Sequence, residues 1–289
     1  MQSRIDPLIA ERAPWLFRRD PLSVAAKHGL TWMLGYGRTL ALTEYFRARP
    51  TGEIMATMGA MRARDIEATG LGNVPPRGPA LIVANHPTGI ADGIILHHLW
   101  AAARKEIFVY ANSDILRVLP QMESLIIPVE WQLEKRSLGK TRETMAQTRA
   151  ALADGKLGVI FPSRRLAKRR GLSLCERTWM PSAAINARKV GVPVIPVNIR
   201  ARNSALFYLF DRLHPTPRDI TLFHETLNKH RQPFRVTVGE PISAAALPRR
   251  SDDGIAMLRR ATLALGGRHA PNVSLVAMTG RHAWARRLA

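Results

Sequence analysis

The chain has one cysteine, Cys175, in 289 residues. That excludes an intrachain disulfide framework and a thiolate metal cluster, and it fits a reducing compartment. Acidic residues are scarce: 22 Asp plus Glu stand against 43 Lys plus Arg, a formal charge of +21. Aromatic residues make up 6% of the chain, and several cluster in the N-terminal segment. They are not interleaved with basic residues as a nucleic-acid-binding module requires. No Gly-x-Ser-x-Gly elbow occurs, which counts against a serine hydrolase of that fold. Gly139-Lys140-Thr141 lacks the first glycine of a nucleotide loop, since Glu134 stands there. The histidines have no metal-ligand spacing, and the adjacent His97 and His98 diverge on a helix, so no metal is expected. No basic stretch followed by an apolar one opens the chain, so no signal peptide is expected.

What is present is a chain long enough for a sizeable core, with 46% hydrophobic residues. The positive excess favours polyanions, either nucleic acid or an anionic membrane surface. A generally basic solvated surface is the plain alternative. Residues 1–20 read as a loosely held arm. Residues 21–49 crowd Leu30, Trp32, Met33, Leu34, Tyr36, Leu40, Leu42, Tyr45 and Phe46 together. Arg38, Glu44, Gly35 and Gly37 interrupt that run too often for a transmembrane span. An interfacial helix, with aromatics beside Lys27, Arg47 and Arg49, and a helix packed on the remaining chain fit equally well.

Residues 54–66 read as a helix and 65–70 as an edge strand. Beyond a proline-rich connection the pattern alternates. Helices are expected at 93–104, 138–154, 181–190 and 204–213, and strands at 80–84, 107–111, 125–129, 157–161, 192–199 and 235–238. Gly155 and Gly191 stand where helix ends need glycine. This order predicts an α/β fold, a mostly parallel central sheet flanked by helices with an N-terminal helical segment. The division expected is 1–64, helical and facing a membrane or the remaining chain, and 65–289, the sheet domain.

The chemistry concentrates after residues 80–84, a short apolar run suited to a buried strand. There the chain reads Asn85-His86-Pro87-Thr88-Gly89-Ile90-Ala91-Asp92. Pro87 keeps His86 out of helical backbone, and Gly89 lets the loop turn back. His86 and Asp92 can then face each other, the carboxylate holding one ring nitrogen and leaving the other to take a proton. A second block, Phe161-Pro162-Ser163-Arg164-Arg165, puts two guanidiniums at the end of another strand. Arginine there suits a bidentate grip on phosphate or carboxylate. The plain reading of this block is a basic loop running into Lys168, Arg169 and Arg170. Arg202 and Asn203 follow a third strand at the same sheet edge, where ligands collect in open α/β sheets.

Asn85-His86-Pro87 with Asp92 resembles the first motif of the glycerolipid acyltransferases, the lysophosphatidic acid acyltransferase superfamily. The usual spacing there is His, four residues, Asp. Five intervene here, which resembles the branch containing lyso-ornithine-lipid and related lysophospholipid acyltransferases. Phe161 and Pro162 match the family's Phe-Pro-Glu-Gly-Thr-Arg block. Ser163 stands at its Glu and Arg164 at its Gly, while Arg165 corresponds to the basic residue of shorter variants. Residues 191–197 resemble the family's last block. Lys135, Arg136, Lys140 and Arg142 lie near another acceptor-binding segment of the family, and a solvated helix start accounts for them as well.

The resemblance implies an O-acyltransferase acting on a lysolipid in phospholipid or ornithine-lipid biosynthesis. It implies acyl-CoA or acyl-carrier-protein as co-substrate, no bound cofactor, and a peripheral place on the cytoplasmic face of the cell membrane. His86 and Asp92 would be catalytic. Asn85, Gly89, Phe161, Pro162, Arg164, Arg165, Arg202 and Asn203 would bind substrate, with backbone amides near Gly89 as oxyanion donors. A nucleic-acid-binding protein and a catalytically weakened membrane-binding relative are the alternatives.

Overall fold

Ala80–Ala84 forms a strand, β2, buried at every position. Alternate side chains serve two separate cores: Ala80, Ile82 and Ala84 face one, Leu81 and Val83 the other. That requires a sheet covered on both faces, and explains why the run is apolar without alternation. Burying each of its larger side chains contributes about 1.5–3 kcal/mol.

The computed structural model describes residues 1–62, 65–104, 106–130, 137–213, 221, 224–225, 227–229, 232–267 and 272–274. Four helices come first: α1 (Gln2–Arg12), α2 (Pro21–Met33), α3 (Tyr36–Phe46) and α4 (Thr51–Arg62). After β1 (Ile66–Thr69) and β2 come α5 (Ile90–Trp100), β3 (Ile107–Asn112), α6 (Asp114–Val118), β4 (Ile126–Val129), α7 (Leu138–Ala153) and β5 (Leu157–Ile160). Then follow β6 (Lys168–Arg170), β7 (Ser173–Cys175), α8 (Ser182–Val190), β8 (Val194–Arg200), α9 (Ala205–Leu213), β9 (Phe234–Val238), α10 (Ser251–Ala264) and β10 (Val273–Ser274).

Seven strands form one sheet in the order β1-β9-β8-β2-β5-β3-β4. Every pairing is parallel except β8 with β9. The expected mostly parallel sheet with flanking helices is therefore what the chain forms. β2 lies at its centre, with Val83 level with Ile160 of β5 and Pro196 of β8. The loops leaving β2, β5 and β8 consequently emerge side by side. Gly158 on β5 has no room for a side chain: a Cβ would lie 2.6 Å from Phe108 Cζ.

Several boundaries differ from the sequence reading, each for a visible reason. The expected loose arm is α1, anchored by Ile5 and Leu8 in the same core as the sheet and by an Arg12–Asp114 ion pair. Residues 21–49 are two helices, broken at Gly35 in left-handed backbone. The helix expected at 54–66 is α4, which begins at Thr51. The helix expected at 93–104 starts at Ile90, because the Asp92 carboxylate accepts the Gly89 N–H at its start. The basic run 168–170 is a strand, paired with β7 across Gly171. Lys135 and Arg136 lie outside the described residues.

Candidate active site

His86 occupies the first turn beyond β2, and both of its main-chain groups are held. Its N–H donates to Glu176 Oε2 at 3.2 Å, and its carbonyl accepts from the Ala167 N–H at 2.9 Å. The imidazole stacks on Phe161, with centroids 4.3 Å apart and planes 26° apart. Nδ1 lies 3.0 Å from Asp92 Oδ2. That approach is off the line of the ring N–H and does not meet hydrogen-bond geometry, so its contribution is chiefly electrostatic. Nδ1 is buried. The ring's other nitrogen is the one left to meet a substrate.

Asp92 is completely buried. Its Oδ2 accepts the N–H groups of Thr88 at 2.9 Å and Gly89 at 3.0 Å, and its Oδ1 accepts the Thr88 hydroxyl. It therefore caps α5 and faces His86 with one side chain. The helix N-terminus favours its negative charge. Gly89 sits at φ 92°, ψ −130°, backbone that an L side chain resists. This is how five intervening residues still bring His86 and Asp92 together.

Two of the expected site groups are already engaged. The Gly89 N–H, one of the backbone amides in the expected oxyanion region, donates to Asp92 Oδ2. Asn85, expected to bind substrate, has its amide bridging both main-chain groups of Ile199: Nδ2 donates to the carbonyl at 2.9 Å and Oδ1 accepts the N–H at 2.7 Å. It locks the loop after β2 to β8.

The block after β5 lies beside this loop. Phe161 and Pro162 are buried, and the Pro162 carbonyl accepts from the Met180 N–H at 3.0 Å. Arg164 takes φ 54°, a conformation glycine adopts freely and other residues rarely. It is the position where the resembling block carries glycine. Arg165 is exposed, and among the described residues its guanidinium has no acidic partner. Arg202 is half-buried, and its buried Nε has no hydrogen-bond partner among the described residues. Asn203 is fully buried; its Oδ1 accepts from Lys229 Nζ at 2.7 Å and its N–H donates to the Tyr208 hydroxyl at 3.0 Å. Among the described residues its Nδ2 has no hydrogen-bond partner. Burial pushes the Tyr208 hydroxyl above its ordinary pKa; Glu225 and Asp92 add to the rise and Arg202 opposes it.

Glu176, which the sequence reading missed, is buried just after β7. Burial pushes its carboxyl up, while hydrogen bonds from Trp179, the His86 main chain and Ser163 work against the rise. Among the described residues no group of His, Cys, Asp and Glu is arranged to hold a metal ion.

A histidine beside a buried carboxylate, on a loop at the C-terminal edge of a mostly parallel sheet, is the arrangement that general-base chemistry requires. The Acyltransferase family model matches residues 65–200, which include this loop and the block after β5. Two curated relatives bear the name lyso-glycine lipid O-acyltransferase. That of Phocaeicola vulgatus is 24% identical over 183 residues, covering 61% of this chain and 64% of its own. That of Bacteroides thetaiotaomicron is 22% identical over 183 residues, covering 61% and 65%. The match thus spans a little under two thirds of each relative's length. Among solved structures, the 1-acyl-sn-glycerophosphate (LPA) acyltransferase PlsC from Thermotoga maritima is similar at 11% identity and a TM-score of 0.49, covering 93% of this chain and 98% of that one. Residues 65–200 thus resemble the Acyltransferase family, and the two curated relatives that the chain matches are lipid O-acyltransferases by name.

Proposed function

We propose that this protein is an O-acyltransferase that moves a fatty acyl chain from an acyl thioester to the hydroxyl of a lysolipid. The observation that carries the reading is the His86–Asp92 pair, held in place before any substrate arrives. The acceptor oxygen attacks the thioester carbonyl while His86 takes its proton. Asp92 stabilises the imidazolium. The tetrahedral intermediate then expels the thiolate, which recovers that proton from His86, giving an ester and a free thiol. Base assistance of this kind is worth about 10²–10⁴-fold. The donor is acyl-CoA or acyl-carrier-protein.

Arg165, with Arg164 on a neighbouring turn of backbone, grips the acceptor's anionic headgroup. Arg202 and the Nδ2 of Asn203 form the second side of that site. The names of the relatives favour an amino-acid lipid acceptor, the class to which ornithine lipids also belong. Such a headgroup can end in a carboxylate, which a guanidinium pairs with as readily as with phosphate.

The lipid is met at a membrane surface. Among the described residues no helix is long and apolar enough to cross a membrane. On α2, however, the buried residue is Ser23, while Leu22 is 80% and Trp32 86% exposed. Leu22, Ala25, Gly29, Trp32 and Met33 are all exposed, and at 3.6 residues per turn they fall within a sector of roughly 100°. This apolar face, in a chain of charge +21, suits a peripheral helix on an anionic cytoplasmic leaflet. Residues 1–64 then have a surface-binding role and 65–289 a catalytic one.

Lipid analysis of cells with and without the gene tests the reading. Loss of the protein should accumulate one lysolipid and deplete its acylated product. An unchanged lysolipid pool, with purified protein inert toward acyl thioesters, would contradict it.

A further inference from the structure

Glu176 is a carboxylate that the reaction does not consume, yet it is buried against the base. A buried carboxylate is costly unless its oxygens are satisfied. Here each oxygen has a donor: Oε1 accepts from Trp179 Nε1 at 3.0 Å and Oε2 from the His86 N–H at 3.2 Å. Its main-chain carbonyl accepts from Arg259 of α10 at 3.2 Å, so the residue is held from behind as well. The Ser163 hydroxyl is a further neighbour; its single proton goes to the Arg165 carbonyl at 2.9 Å or to the carboxylate. Four parts of the sheet edge therefore meet at one side chain: the loop after β2, the block after β5, the end of β7 and the approach to α8.

We infer that Glu176 is a positioning residue for His86, fixing the main chain that carries the imidazole and tying it to the turn that presents Arg164 and Arg165. It acts on the base through the His86 N–H and touches no substrate. At Ser163 the chain has a hydroxyl where the resembling block has a carboxylate, and that hydroxyl neighbours the Glu176 carboxylate, which comes from a separate hairpin. The inference rests on the acyltransferase reading of His86.

The test uses the full chain and compares kcat, acceptor KM and melting temperature for Glu176→Gln, for Trp179→Phe and for the two combined. A glutamine has one accepting oxygen. If that oxygen meets Trp179, the amide N–H faces the His86 N–H; if it meets His86, the amide faces the indole N–H. Glu176→Gln should therefore lower kcat by about 10- to 100-fold, the range for misplaced catalytic groups, with KM changed less than about twofold. Adding Trp179→Phe removes the competing donor and lets the glutamine oxygen accept from His86, so the double variant should recover part of the lost kcat. Parental kcat in Glu176→Gln overturns the inference. So does a double variant worse than either single one, with kcat, KM and melting temperature falling together, since that describes a purely structural polar core. If His86→Ala keeps full activity, the acyltransferase role of His86 fails instead; loss in His86→Ala with none in Glu176→Gln removes Glu176 alone.

Discussion

The imidazole of His86 lies face to face on the ring of Phe161, 4.3 Å between centroids. Two blocks 75 positions apart in sequence meet in that contact. The stack limits the ring's rotation about its own bond to the loop, while Asp92 sets the charge on its buried side. Stacked aromatic pairs are worth about 0.5–1.5 kcal/mol beyond area burial, or about 2- to 10-fold. Phe161→Leu should lower kcat by that factor and leave acceptor KM near its parental value. A fall in KM-dependent terms alone would assign Phe161 to substrate binding.

Asp92→Asn should lose two things at once. The amide has one accepting oxygen for three donors, Thr88 N–H, Gly89 N–H and the Thr88 hydroxyl. Loss of such a cap costs about 0.5–2 kcal/mol, visible as a lower melting temperature. Acyl transfer should fall by about 10²-fold or more, since an amide does not stabilise an imidazolium. Full activity with a lowered melting temperature would make Asp92 a helix cap and nothing else.

The two basic segments should separate. Arg165→Lys keeps the charge but loses the planar fork. A lost charge-assisted contact is worth about 1.5–3 kcal/mol, so acceptor KM should rise by about 10- to 150-fold with vesicle binding unchanged. Replacing Lys168, Arg169 and Arg170 on β6 should weaken vesicle binding and spare KM. Equal shifts in both measurements for both variants would make the whole stretch one diffuse patch.

Deleting residues 1–49 is not a clean test of membrane binding, because Ile5, Leu8, Leu34 and Phe46 belong to the core beneath the sheet. The exposed face of α2 is a better target. Burying one large apolar side chain contributes about 1.5–3 kcal/mol. Leu22→Ser with Trp32→Ser should therefore cut co-sedimentation with anionic vesicles by about 10-fold or more, with the melting temperature unchanged. Binding that survives the double change, or that is equal for neutral and anionic lipid at every salt concentration, would remove this face from membrane contact.

The central strand and its loop were legible because β2 is apolar at every position and Pro87 and Gly89 punctuate the loop behind it. Local spacing could then bring His86 to Asp92. Contacts made across the sheet were not legible. Asn85 looks like a ligand in sequence, and only the placement of β8 beside β2 reveals Ile199 as its partner, 114 positions on. Glu176 lies 90 positions from His86, beyond the basic run 168–170, in a stretch with no motif. A Trp at i+3 from a lone acidic residue is the one signal the sequence offers there. The first helix was missed because its polar residues mask Ile5 and Leu8. The left-handed turn at Arg164 shows in the sequence only through the resembling block, which has glycine there, because the arginine itself gives no sign of it.

The most direct test compares purified parent and His86→Ala for acyl release from a thioester donor in the presence of lysolipid, with melting temperature measured on the same samples. His86 is held by its main chain, by way of Glu176 and Ala167, so removing the imidazole should leave the fold in place. The rate should fall by about 10²–10⁴-fold with the melting temperature nearly unchanged. A His86→Ala protein that is fully folded and transfers acyl chains at the parental rate would contradict the account.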